Sequence, residues 1–142
     1  MNIKVKYFDN EIEHIQKITK GDWIDLRSAE NVYIKAGEYR LIRLGVGMIL
    51  PYGSEAIIAP RSSTPSKFGI IMANSIGIID NSYSGDADEW MFPALAIRDT
   101  IVNKNDRICQ FRLIDNMPSV EFVEVEHLND ISRGGIGSTG KR

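Results

Sequence analysis

An all-β fold is what the sequence predicts, and two observations predict it. From Asp22 onward, short apolar runs rich in Ile, Val, Leu and Phe follow one another closely, each bounded by Gly, Pro, Asn or Asp. Punctuation of that kind belongs to a sandwich or a barrel-like jelly roll. No strand–helix alternation calls for a parallel sheet, and no segment repeats. At 142 residues the chain is one domain by size and can bury a real core.

Taken in order, the first eight residues alternate, with Ile3, Val5 and Tyr7 on one face and Lys4 and Lys6 on the other, as a half-buried strand does. Residues 11–20 place Ile12, Ile15 and Ile18 at near-helical spacing, but the run is short and uncapped. An irregular connector with about one helical turn is expected there. Strands are then expected within 23–28, 31–36, 38–50, 55–61, 69–74, 76–80, 91–97 and 107–114. A last strand is expected over 119–127, whose apolar members are Val120, Phe122, Val123 and Val125. The folded body is thus placed at 1–128. Residues 129–142, NDISRGGIGSTGKR, are Gly-rich and polar and are expected to form a flexible arm. Gly135, Gly140 and Lys141 carry the spacing of a phosphate loop, but Arg142 stands where Ser or Thr is needed and no helix follows to face the phosphates.

Composition excludes several classes of function. The net charge is −2 with both signs scattered, so no basic stripe awaits a nucleic-acid polymer, although a single nucleotide remains a fitting ligand. The one cysteine, Cys109, sits between Ile108 and Gln110 and reads as a buried strand residue. No intrachain disulfide can form, which suits a reducing compartment. The N-terminus lacks the apolar core of a signal peptide, and no apolar run approaches the roughly 20 residues of a membrane span. A cytoplasmic protein without membrane contact is expected. His14 and His127 are isolated and offer neither a transition-metal site nor a catalytic triad.

Chemistry gathers around residues 74–92. Ile78 and Ile79 deliver the carboxylate of Asp80 into a turn made of Asn81, Ser82, Ser84 and Gly85, with Tyr83 as its one large ring. A hairpin with an acid and an aromatic at its tip suits a small planar ligand beside a general base; an incidental surface turn is the alternative. A calcium loop is excluded because Met91 occupies the position that needs Glu. Asp25 lies inside a strand pattern, where it must meet either a metal-bound water or an Arg. Arg61, Ser62 and Ser63 follow a strand and suit phosphate oxygens, or form an ordinary loop. Gln110 is either a ligand contact or a solvent-face residue. One base, no covalent nucleophile and several phosphate-friendly loops point to water attacking a phosphoryl centre.

In this order, DLRS at 25–28, PRSS at 60–63, NSIGIIDNSY at 74–83, DRICQF at 106–111 and RGGIGSTG at 133–140 resemble the five motifs of the homotrimeric dUTPases. The extended GDADEWMFPA at 85–94 resembles the variant of Gram-positive bacteria and their phages. The resemblance implies a distorted jelly-roll trimer that cleaves dUTP to dUMP and pyrophosphate with Mg²⁺. It implies that Asp80 activates the water, that Tyr83 packs under the deoxyribose, and that Asn74 with the backbone of Gly77, Ile78 and Ile79 reads the uracil edge. Arg61, Ser62, Ser63 and Gln110 match phosphate-contacting positions. Arg133, Ser138 and Thr139 match an arm that closes over the triphosphate from another subunit, and Asp25 matches an outer-shell Mg²⁺ position, acting through water.

Two departures stand out. The arm usually carries an aromatic that covers uracil, and here that position is Ile136; Ser84 replaces a usual basic or amide residue. A lid from Trp90, Met91 or Phe92 is therefore expected, with Trp90 favoured because Asp86, Asp88 and Glu89 read as exposed. Alternation would put Trp90 and Phe92 on one face and Met91 on the other. Two other functions compete: dCTP deamination on the same fold, and a dUTP-gated contact with a regulatory protein partner through segment 84–92.

Overall fold

Eleven strands and one short helix make up the chain. In the computed structural model, which describes residues 1–142, the strands are β1 (Lys4–Tyr7), β2 (Ile24–Arg27), β3 (Val32–Ile34), β4 (Tyr39–Arg43), β5 (Val46–Ile49), β6 (Ser54–Pro60), β7 (Ile70–Met72), β8 (Gly77–Ile79), β9 (Met91–Ala96), β10 (Thr100–Val102) and β11 (Arg107–Asp115); the helix α1 is Thr64–Phe68. They form four antiparallel sheets, ordered β1–β5, β10–β3, β2–β11–β6–β8 and β4–β9–β7. Short strands shared among several small sheets fit the all-β jelly roll that the strand punctuation predicts, in the distorted form that the resemblance implies.

The core follows from period-2 alternation. Along β9, Phe92, Ala94 and Ala96 point inward while Met91, Pro93 and Leu95 do not; along β6, Ser54, Ala56 and Ile58 are the inward set. Twenty buried residues from nearly every strand make one cluster. Its largest members, Trp90 and Phe111, meet edge to face with centroids 5.3 Å apart, a favoured aromatic geometry.

Several expectations change. The run 38–50 is two strands rather than one, broken at Gly45, whose φ is +68°. A Cβ there would lie 2.7 Å from Ile12 Cδ1, so the packed connector 11–20 and the turn both require glycine. That connector carries no helix. The loop at 60–70 instead holds α1, which starts with Pro65 in its first turn and stops at Gly69 in the left-handed region. Residues 119–127 form no strand, and every residue from Asp115 to Arg142 is exposed, so in the single chain the packed body ends with β11 and not at 128. An alternating segment with no surface to cover has nothing to hold it as a strand.

Candidate functional site

The four-stranded sheet collects the motifs. In the order β2–β11–β6–β8, β2 carries Asp25, β11 carries Arg107 and Gln110, β6 leads directly into Arg61 and Ser62, and β8 leads into Asp80. Segments far apart in sequence thus become neighbours at roughly 4.8 Å per strand. The register places Gln110 opposite Asp25 on one side and Ala59 on the other. Arg107 and Gln110 are three residues apart, a spacing that would ordinarily send their side chains to opposite faces. A register shift between Arg107 and Cys109 adds a residue to β11, and Ile108 and Cys109 are both buried in succession.

Asp25 is held between two guanidiniums, with Arg61 Nε 3.1 Å from Oδ1 and Arg107 Nη1 3.1 Å from Oδ2. The ion-pair alternative for Asp25 is therefore the one seen in the single chain. Arg61 also donates to the Arg107 carbonyl at 3.2 Å, and Gln110 Nε2 donates to the Pro60 carbonyl at 3.1 Å. Arg61, Ser62, Gln110 and Asp25 line one polar cleft, together with Lys20, Asp22 and Trp23. The arginines have one carboxylate between them, leaving N–H groups for an anion. The local fold at Arg61 is fixed by buried Thr64, whose hydroxyl accepts from Arg61 N–H and donates to the Ile108 carbonyl, both at 2.8 Å. Ser63 precedes α1 without making a side-chain cap and does not line this cleft.

A second, mostly apolar cleft is lined by Asn74, Gly77, Ile78, Ile79, Tyr83, Trp90 and Met91, with Leu41, Ile58, Glu89 and Pro93. Gly77 has a packing reason: a Cβ there would sit 3.2 Å from Ile58 Cβ and 3.3 Å from Met72 Cε. Tyr83 is fixed at both ends, its N–H donating to the Asp80 carbonyl at 3.0 Å and its hydroxyl to the Glu89 carbonyl at 3.1 Å. Asp80 lies past the end of β8, not at a hairpin tip; Asn74 and Ser75 sit in the turn between β7 and β8, which belong to different sheets. Its Oδ1 accepts from the Ser82 hydroxyl and from Ser82 N–H, the latter at 2.8 Å. These donations, the hydroxyl first, hold the Asp80 carboxyl below its ordinary range. Asp80 is exposed and ionised near neutrality, with Oδ2 unengaged in the chain.

The lid expectation is corrected for two of its three residues. Trp90 and Phe92 are fully buried in the core, and Glu89 is buried against Arg43, with Nε–Oε2 at 2.8 Å and Nη2–Oε1 at 3.0 Å. The Arg43 pair lets a carboxylate enter the protein, which the sequence alone reads as exposed. The alternation itself is as expected: Trp90 and Met91 both line the cleft, Trp90 fully buried and Met91 as its partly exposed member. Arg133, Ser138, Thr139 and Ile136 lie on the exposed arm and touch neither cleft. Sequence reading missed Arg107, whose place in the DRICQF run was the only available signal, and the anchor Asn81, whose Nδ2 reaches the Pro51 and Ser54 carbonyls at 3.2 and 3.1 Å. Nothing in the turn composition distinguished Asn81 from its neighbours.

No helix is long and apolar enough to cross a membrane. The family model for dUTPase matches residues 10–140. The SPbeta prophage-derived deoxyuridine 5'-triphosphate nucleotidohydrolase YosS of Bacillus subtilis is 55% identical over 142 residues, covering all of both chains. The fold is shared with the Staphylococcus bacteriophage 80alpha dUTPase with dUPNHPP, from work on phage dUTPases controlling transfer of virulence genes by a proto-oncogenic G protein-like mechanism (TM-score 0.78, 19% identity, 99% of each chain). It is shared also with a point mutant of the dUTPase from phage phi11 of S. aureus, which reveals coordination of a structural Mg(II) ion (TM-score 0.77, 17% identity, 89% of this chain and 98% of that one). With the motif strands side by side in one sheet and the family model matching 10–140, this chain belongs to the dUTPase family.

Proposed function

We propose that the chain hydrolyses dUTP to dUMP and pyrophosphate. One observation carries the reading: an exposed, ionised carboxylate, Asp80, stands at the exit of a strand whose residues line an apolar cleft together with Tyr83. A pyrimidine fits beside Asn74 and the backbone of Gly77–Ile79, with Tyr83 under a sugar that has no 2′-OH. Asp80 takes a proton from water through its free Oδ2, the water oxygen bonds to the α-phosphorus, and the bond to the β-phosphate bridge breaks, releasing pyrophosphate. The apolar cleft and the Arg61–Gln110 cleft are separate within one chain, and the arm reaches neither. We assign the site to the homotrimer that the family resemblance implies, in which one subunit binds the phosphates with Arg61, Ser62, Ser63 and Gln110, a second supplies the base pocket and Asp80, and a third lends Arg133, Ser138 and Thr139 from its arm; the separation of the two clefts supports that reading. In this assembly Met91 is the residue placed to cover the base.

No cluster of three or more His, Cys, Asp or Glu side chains exists to cage a metal. The donors fit a Mg²⁺ that arrives on the triphosphate and keeps its waters, with Asp25 accepting from one of them. When bound, that ion offsets phosphate charge. The hydrolase reading is supported over the deaminase one by the family model and by the curated relative. A regulatory partner is a second role for the same protein, favoured by segment 84–88 beside Tyr83, which is exposed at Gly85, Asp86 and Ala87 and where Asp86 reaches Lys6 Nζ at 2.9 Å.

Pyrophosphate release from dUTP, dCTP, dTTP and UTP tests the proposal. Turnover is expected with dUTP alone, and Asp80→Asn is expected to lower kcat by about 100-fold or more while leaving affinity for an α,β-imido analogue nearly unchanged. Ammonia release from dCTP, or an Asp80→Asn variant with most of its kcat, overturns it.

A further inference from the structure

Trp90 holds the one buried side-chain nitrogen or oxygen in the chain that has no hydrogen-bond partner, its indole Nε1. Buried N–H groups are paired in the great majority of cases, because an unpaired one has lost water and gained nothing. The ring cannot turn to find an acceptor elsewhere. It is braced edge to face by Phe111, and its backbone is tied on both sides, N–H to the Val46 carbonyl at 2.8 Å and carbonyl to Leu44 N–H at 3.0 Å. Trp90 also lines the apolar cleft. Of the polar side chains that line the same cleft, Tyr83 is committed to the Glu89 carbonyl and the Glu89 carboxylate to Arg43, and Asn74 does not pair with the indole. The rim is built of exposed side chains: the apolar Leu41 and Ile78 can shift as a ligand enters, while Tyr83 stays tied to the Glu89 carbonyl.

We propose that the Trp90 indole is a nucleoside-recognition donor, uncovered when the cleft fills and giving its N–H to an oxygen acceptor of the bound pyrimidine nucleoside, directly or through one trapped water. Trp90 is then a specificity residue of the pocket floor and not its lid. The inference rests on the assignment of this cleft to the nucleoside. It explains a fully buried Trp at a site where Leu or Phe would fill the core without an orphaned donor.

The chain has two tryptophans, so a ¹⁵N-labelled sample shows two indole N–H signals, and Trp90→Phe identifies the second by its loss. Titration with deoxyuridine, which carries no phosphate to reach Trp23, is expected to move the Trp90 indole proton downfield. Trp90→Phe keeps an aromatic ring against Phe111 and is expected to raise KM for dUTP about three- to tenfold with little change in kcat, the effect of one neutral hydrogen bond. If the amides of Gly77–Ile79 shift at saturation while neither indole signal moves, the inference fails and the nucleoside assignment stands. Should neither the amides nor the indoles respond, the cleft assignment fails and takes the inference with it. The wild-type titration decides both outcomes even if Trp90→Phe does not fold.

Discussion

At the scale of single residues, the balance at Asp80 is between availability and strength. The Ser82 hydroxyl and N–H stabilise the charged carboxylate, so its folded value lies below the ordinary one. Such a carboxylate is ionised down to lower pH, but it is a weaker base than a free one. Removing the hydroxyl in Ser82→Ala raises the carboxyl back toward its ordinary range, so on acidification the base is protonated earlier. The acid limb of kcat/KM for dUTP is therefore expected to move to higher pH, with activity near pH 8 changed little. An acid limb that stays in place would assign it to another group. The exposed position of Asp80 was legible in the sequence, because an acid that follows two isoleucines into a Gly/Ser turn leaves the sheet. Glu89 was not legible, because its ion-pair partner Arg43 lies 46 residues away and only the β4–β9 pairing joins them.

At the scale of elements, the exit from β8 is tethered to the turn between β5 and β6. Asn81 Nδ2 makes the link through the Pro51 and Ser54 carbonyls, with the Leu50 carbonyl at 3.5 Å. The tether sets the direction in which Asp80 leaves the sheet. Asn81→Ala loses these bonds and is expected to cost about 1–3 kcal/mol of stability and to lower kcat more than it raises KM. Asn81→Asp is expected to be worse on both counts, since carboxylate oxygens would face carbonyl oxygens. Thermal melts and steady-state kinetics on the two variants check this, and equal behaviour of both would remove the tether from the mechanism. Strand positions were readable from short apolar runs bounded by Gly, Pro, Asn or Asp, which is why 55–61, 91–97 and 107–114 fall where expected. Alternation alone cannot distinguish a strand from a strand-like segment without a partner, and 119–127 is such a segment.

At the scale of the whole molecule, a single chain divides the site residues between two clefts and an exposed arm. If three subunits complete each site, two inactive variants rescue each other. Asp80→Asn subunits mixed with subunits truncated after Asp130 are expected to recover part of the dUTP turnover after exchange, because some mixed sites contain both an intact Asp80 and an intact arm. No recovery, with exchange verified by mass, would place each site within one chain. The sharing was never legible in composition or periodicity, since neither encodes what a neighbouring copy supplies. The extra residue in β11 carries a different consequence, for length variation. That strand lies between β2 and β6, with Gln110 turned to the phosphate cleft and Cys109 and Phe111 to the core. Losing one residue between Arg107 and Gln110 would throw one of them onto the wrong face and break the grip on Asp25, whereas residues 84–88 and the arm can lengthen or shorten without moving a single core side chain. Insertions and deletions in this lineage are thus expected to gather in those two segments and to stay out of the stretch from Arg107 to Gln110.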